Sequence, residues 1–249
     1  MSPPEVDVLG FPLAAMTLDE ATQCLLTSLP RDEPSVIFTP NPEMVERAMR
    51  NPALKDALLS ADLLIADGIG VVWASRILGD PLPGLVPGID LMEGLLAGGA
   101  ELQLRTFLLG TTSESVESAA RKIREAYPGL RVAGYHHGYF PESATGHIAR
   151  LIRESEPDLV FVGMGVPRDQ MFLSRAKPSL PPALYLGVGG AIDILSGRVA
   201  RAPEIFRKLR LEWLYRLIGS PGRWRRQLDL PRFAWRVLRA RLAGKASLR

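Results

Sequence analysis

Short apolar runs separated by helix-length amphipathic segments recur through the first 200 residues. This alternation restricts the folds open to the chain more than any other feature. The runs at residues 6–9, 36–39, 63–66, 106–109, 132–135, 159–163 and 184–187 are short and predominantly apolar. They read as strands buried on both faces. Between them, Thr17-Leu18-Asp19-Glu20 forms a capping box, Pro42 stands near the start of a second helix, and Thr112-Ser113-Glu114 opens a third. Further helices are expected over 70–78, 90–97, 143–154 and 168–177. The pattern predicts an α/β fold, a Rossmann-like, mostly parallel sheet flanked by helices. A length of 249 residues suits one such domain with an appendage.

The appendage announces itself by charge. From residue 201 onward 14 Lys and Arg stand against 3 Asp and Glu, whereas the first 200 residues hold 16 basic and 24 acidic groups. A formal net charge of +3 hides this division. An acidic body with a basic tail implies contact with a polyanion: nucleic acid, an anionic bilayer or a diphosphate-bearing substrate. The boundary is placed between a catalytic domain, 1–198, and a basic helical appendage, 199–249. Helices are expected at 203–218 and 231–242. In the second, Arg232, Arg236 and Arg239 share a face, and Phe233, Trp235, Val237, Leu238 and Leu242 fill most of the remaining arc. That pattern fits a helix lying in a membrane interface, or one docked on its own domain with a solvated basic face.

No apolar stretch reaches 18 residues and the N-terminus lacks a leader pattern, so neither a spanning helix nor a signal peptide is expected. Cys24 lies beside Leu25 and Leu26 and reads as core. His136, His137 and His147 lack the spacing of a zinc site. A cytosolic, reducing compartment is expected.

Ligands of open parallel sheets bind beyond the carboxyl ends of the strands. Five turns follow expected strands there: Thr39-Pro40-Asn41-Pro42, Asp67-Gly68-Ile69-Gly70, Gly110-Thr111-Thr112-Ser113, Met164-Gly165-Val166-Pro167 and Val188-Gly189-Gly190-Ala191. Together they make a nucleotide-sized cleft in which glycines let backbone N–H groups approach phosphate. None completes GxGxxG, and GxxxxGK[ST] is absent. No Asp-x-Asp pair is present to hold a divalent metal on a sugar nucleotide. No metal or other cofactor is therefore expected, and a bound diphosphate would be met by cations and backbone dipoles. Asp67, at a strand end, suits a proton acceptor and equally a helix N-cap. Thr39 and Asn41 suit hydroxyl or amide recognition, or simple turn formation. Asp193 could bond sugar hydroxyls or cap a helix.

In order along the chain, Thr39-Pro40-Asn41-Pro42-Glu43-Met44, Ala66-Asp67-Gly68-Ile69-Gly70-Val71-Val72-Trp73, Gly88-Ile89-Asp90-Leu91, Gly187-Val188-Gly189-Gly190-Ala191-Ile192-Asp193, Arg201-Ala202-Pro203-Glu204 and Leu211-Glu212-Trp213-Leu214-Tyr215-Arg216 resemble the WecG/TagA/CpsF family of bacterial glycosyltransferases. The resemblance spans roughly residues 5–240. It implies inverting transfer of a sugar, often N-acetylmannosamine, from a UDP-sugar to an undecaprenyl-diphosphate-linked sugar during cell-envelope polysaccharide synthesis. It further implies peripheral attachment to the anionic inner face of the cell membrane. Asp67 takes the place of the family's proposed general base. Thr39, Asn41, Asp193, Gln170 and the glycines Gly187, Gly189 and Gly190 fall in its substrate loops, and Arg216, Arg223 and Arg226 match its appendage arginines. Most members carry an arginine where this chain has Leu85, and Gln-Glu where it has Asp169-Gln170. Both departures border the expected donor pocket and leave the donor sugar open.

Two rival readings remain. One is a non-catalytic lipid- or nucleic-acid-binding protein using the basic tail, although no aromatic ladder for single strands is present. The other is an NAD(P) oxidoreductase, against which the missing GxGxxG counts. Nucleic acid is not an expected partner, and homo-oligomerisation is left open.

Overall fold

The computed structural model describes residues 3–208, 212, 214, 215 and 228–246. In chain order the elements are β1 (Glu5–Asp7), β2 (Pro12–Ala14), α1 (Leu18–Thr27), β3 (Ser35–Phe38), α2 (Pro42–Arg50), α3 (Pro52–Leu59), β4 (Leu63–Leu64), α4 (Ile69–Leu78) and α5 (Gly88–Glu101). They continue with β5 (Arg105–Gly110), α6 (Ser113–Ala126), β6 (Arg131–His136), α7 (Thr145–Glu154), β7 (Leu159–Gly163), α8 (Arg168–Ala176), β8 (Leu184–Gly187), α9 (Ala191–Leu195), α10 (Glu204–Lys208) and α11 (Asp229–Ala246).

Six strands form one sheet in the order β4-β3-β8-β7-β5-β6, every pair parallel. The continuous apolar runs are explained by helices on both faces. Val36, Phe38, Phe107, Leu109, Val160, Val162 and Tyr185 point into a core shared with α2, α3, α4, α7, α8 and α11. Ile37, Leu108, Leu159, Phe161, Leu184 and Leu186 point the other way, against α1, α5, α6 and α9. β3, β5, β7 and β8 thus alternate between two buried faces rather than between core and water. β6, at the sheet edge, has no fully buried residue, so the run at 132–135 is not covered on both faces, contrary to expectation.

The run at 6–9 departs from expectation. It does not join the parallel sheet: β1 pairs antiparallel with β2 in a two-stranded hairpin. Leu9 and Gly10 have positive φ, and Asp7 Oδ1 accepts the Gly10 N–H at 3.0 Å, so the chain turns back before a crossover can form. Val6, Val8, Phe11 and Leu13 still pack into the first core, and one bridge, Ala14 to Ile65, continues the hairpin alongside β4. The helical stretch that opens at Pro42 is divided in two by Asn51. This residue ends α2, and its side chain accepts the Leu54 N–H to cap α3.

α11 packs across α2 and α4. Phe233 and Val237 are buried in the first core. Arg236 forms a two-pronged ion pair with Glu46, Nε to Oε2 at 2.9 Å and Nη2 to Oε1 at 3.1 Å, and Glu46 itself is only 1% exposed. Arg47, Arg50 and Arg232 gather around the buried carboxylate of Asp229. The docked reading of this helix therefore holds for Phe233, Arg236 and Val237, which face the body and not a bilayer. Trp235, Leu238, Arg239 and Leu242 remain exposed. Part of the helix expected at 203–218, residues 209–211, 213 and 216–218, lies outside the described residues. Within them it is represented by α10.

Candidate active site

The carboxyl ends of β4, β3, β8, β7 and β5 are neighbours, so the loops read as a cleft from sequence do converge on one edge. Thr39 follows β3 and is buried. Asn41 caps α2, its Oδ1 accepting the Met44 N–H at 2.9 Å. Asp67 follows β4, is half-buried, and its N–H donates to Pro40 O at 3.1 Å. That bond stitches the Asp67 loop to the Thr39–Asn41 loop. Gly68 has φ 88°, a conformation suited to glycine, and a Cβ there would lie 3.4 Å from the Pro42 ring. Gly68, not Asp67, holds the N-cap position of α4, and no side chain closes that cap. The capping alternative for Asp67 is thereby removed.

A third segment completes this corner. Val86 N–H donates to Ala66 O at 2.8 Å, which lays Leu85 and Pro87 beside Asp67. At the start of α5, a Cβ on Gly88 would sit 2.8 Å from Thr39 Oγ1, so only glycine lets the two approach. Arg201, just beyond β8 and α9, spans Asp90 and Glu93 of α5. The beginning of the appendage is therefore fixed against the same helix.

The second half of the edge is built from β5, β7 and β8. Gly187 lies within β8 and pairs with Phe38, directly before Thr39. Gly189 donates its N–H to Asp169 Oδ2 at 3.1 Å, so that amide is spent inside the protein and not on a ligand phosphate. Gly190 is exposed, has φ −86°, and an added Cβ would meet nothing within 4 Å. Neither backbone angle nor packing among the described residues calls for glycine at that position. Asp193 is engaged by the Thr111 hydroxyl, and Arg198 Nη1 stands 3.9 Å from its Oδ1. It lies in the first turn of α9, with Gly190 in the cap position. Gln170 is 1% exposed, its Nε2 3.8 Å from Met44 Sδ and its Oε1 without a protein partner. Arg216, Arg223 and Arg226 lie outside the described residues.

Three groups here were given no individual role by sequence reasoning. Thr111 adopts φ 48°, held by its N–H to Gly163 O at 3.0 Å. Non-glycine residues in that region are uncommon and cluster at functional loops. Tyr139, 65% exposed, stands beyond β6 with the Arg168 guanidinium 5.6 Å from its ring centre. Asp169 was visible only as a departure from a motif. Nothing in its neighbours' spacing foretold a carboxylate sealed beneath two loops.

A family model described as "Glycosyl transferase WecG/TagA/CpsF family" matches residues 6–247. The chain belongs to this family. As a WecG/TagA/CpsF glycosyltransferase it is similar to proteins of Bacillus and Staphylococcus. A Bacillus spizizenii (strain ATCC 23059 / NRRL B-14472 / W23) protein is 37% identical over 86% of this chain and 82% of its own length. A Bacillus subtilis (strain 168) protein is 37% identical over 82% and 79%, and one from Staphylococcus aureus (strain MW2) is 34% identical over 95% and 93%. Each is named N-acetylglucosaminyldiphosphoundecaprenol N-acetyl-beta-D-mannosaminyltransferase.

Asp169 carries the electrostatic anomaly of the site. Complete burial pushes its carboxyl up to about 7, although N–H groups of Met164, Gly189 and Gly165 and the charge of Arg168 pull it down. A carboxyl raised in the folded state binds its proton more tightly there than when unfolded. Its stabilising effect is complete below the unfolded value of about 4 and is lost as pH rises through about 7. Lowering pH from 8 to 5 should therefore stabilise the protein, relative to Asp169→Asn, by roughly 2 to 3 kcal/mol. Urea melts of both proteins at the two pH values measure this difference. Identical pH responses would contradict it.

Proposed function

We propose that this glycosyltransferase moves N-acetylmannosamine, or a closely related hexose, from a UDP-sugar to an undecaprenyl-diphosphate-linked sugar, with inversion at the anomeric carbon. The observation that carries the reading is the corner in which three loops, at Thr39–Asn41, Asp67 and Leu85–Gly88, are stitched together at the strand ends. The relatives' printed activity supports the acceptor class. In this mechanism an acceptor hydroxyl attacks the anomeric carbon, Asp67 takes its proton as the new C–O bond forms, and the bond to the diphosphate breaks on the opposite face. UDP leaves with that electron pair. An ordinary carboxylate is too weak to ionise an alcohol beforehand, so proton transfer accompanies attack.

The diphosphate is assigned to the edge at Gly190, where glycine leaves open approach, and to Arg216, Arg223 and Arg226. No metal is invoked. Residues 199–249 are assigned as the appendage that completes the site and brings it to the inner face of the membrane. On α11, Trp235, Leu238, Arg239 and Leu242 recur at i, i+3, i+4 and i+7, which makes one exposed stripe. Among the described residues no helix is long and apolar enough to cross a membrane. Such a stripe suits peripheral binding, with basic residues adding about 1 kcal/mol each near anionic lipid.

The test is a screen of UDP-sugars for UDP release with N-acetylglucosamine-diphospho-lipid as acceptor. UDP release that needs both the lipid acceptor and UDP-N-acetylmannosamine, or a related donor, is expected. Release from no donor, with the protein still binding vesicles and DNA alike, would favour a non-catalytic role for the tail.

A further inference from the structure

Asp169 divides its carboxylate between two loops. Oδ1 accepts the Met164 N–H at 2.5 Å, and Oδ2 accepts the Gly189 N–H at 3.1 Å. The Gly165 N–H also bonds to it. Met164 and Gly165 directly follow β7, and Gly189 follows β8, so a single side chain on α8 joins the ends of two adjacent central strands from below. On their other side both loops are open: a Cβ on Gly165, Gly189 or Gly190 would meet no atom within 4 Å. The backbone at Gly165 (φ 83°) and Gly189 (φ 52°) lies in the left-handed region, which glycine enters without a Cβ penalty but is also free to leave, so a side-chain tie can select one loop shape among several.

We propose that Asp169 is a positioning residue for the donor. Its carboxylate ties the loops after β7 and β8 into one cradle, and losing that tie weakens donor binding more than it slows the chemical step. The inference rests on the UDP-sugar reading above. An asparagine offers one carbonyl oxygen and an amide group that repels a second N–H, so it can hold one loop but not both. Protonation has the same effect, because the protonated oxygen becomes a donor.

With its carboxyl near pH 7, the tie should respond to physiological pH. The charged group acting on it is Arg168 on its own helix. Nearby are Asp193 on α9, which holds Thr111 of the β5 loop, Arg198 just beyond α9, and His136 and His137 at the end of β6. The variant, which retains all of these groups, serves as the reference for any pH effect that does not pass through Asp169.

The experiment measures donor KM, kcat and UDP binding from pH 6 to 8.5 for the wild type and Asp169→Asn. At pH 8 the variant should raise donor KM about tenfold, the cost of one buried hydrogen bond, with kcat within about threefold. In the wild type donor KM should climb about tenfold from pH 8 to 6 as the ionised fraction falls, and the variant should lack that climb. Equal KM values, or the same pH dependence in both proteins, would overturn the proposal. Should Asp169→Asn fail to melt cooperatively, calorimetry of UDP binding to the wild type at pH 7 in buffers of different ionisation heat decides instead. Proton release on binding is expected, and its absence overturns the proposal. A wild type that turns over and binds UDP while Asp169→Asn behaves identically removes this role alone. A wild type that binds no UDP removes the donor reading and this inference with it.

Discussion

Replacing Asp67 with asparagine should lower kcat by roughly 10²- to 10⁴-fold, the range ordinarily supplied by a positioned general base. Donor KM should change little, because the asparagine side chain keeps its shape and the Asp67 N–H bond to Pro40 O is made by the backbone. Melting temperature should also hold, since Asp67 does not cap α4. The measurement is steady-state UDP release with a saturating lipid acceptor, beside a thermal melt. Near-normal turnover would remove Asp67 as the base. A matched fall in kcat and stability would instead mean that the side chain holds the corner together.

The second large effect separates two faces of one helix. Phe233 is 4% exposed and lies in the core beneath α11. Phe233→Ala should cost about 3 kcal/mol through lost burial and the cavity left behind. Trp235 and Leu242, each 69% exposed, contribute little to that core. Trp235→Ala with Leu242→Ala should leave the melt within about 0.5 kcal/mol. The double variant should lower partition onto anionic vesicles by one to two orders of magnitude, about 1.5 to 3 kcal/mol for inserting such side chains. Turnover on a water-soluble acceptor should be unaffected. Loss of vesicle binding in Phe233→Ala but not in the double variant would assign the membrane contact elsewhere.

Particular residues show what the amino-acid order revealed and what it concealed. The six parallel strands were legible because helices cover both faces, which forces the continuous apolar runs of β3, β5, β7 and β8. The run at 6–9 was grouped with them although Asp7 interrupts it, and its partner was fixed by a turn at Leu9-Gly10 to which the Asp7 side chain bonds. Asn41 and Asp67 were legible as site residues through their positions after strands, and the structure brings them together. Their roles were not legible: Asn41 proves to cap a helix, and Asp67 does not. Arg236 was grouped with Arg232 and Arg239 because helical spacing places them on one side. Spacing cannot register that Glu46, 190 positions earlier in the chain, waits beneath only one of them. Asp169 lay hidden for the same reason, since burial of a charged group depends on partners far away in sequence.

The position of β8 has a consequence for how the molecule comes into being. β8 sits between β3 and β7, although Leu184 lies 146 positions after the end of β3 at Phe38. During synthesis the β3–β4 pair and the β7-β5-β6 group emerge as separate halves, each with an open apolar edge. They can join only when residues 184–187 slot between them. Pairing over such a separation is slow to find and leaves unpaired edges exposed in the meantime. The Asp67 corner belongs to one half and Asp169 to the other. The two corners are therefore brought together only late, by the insertion of a four-residue strand.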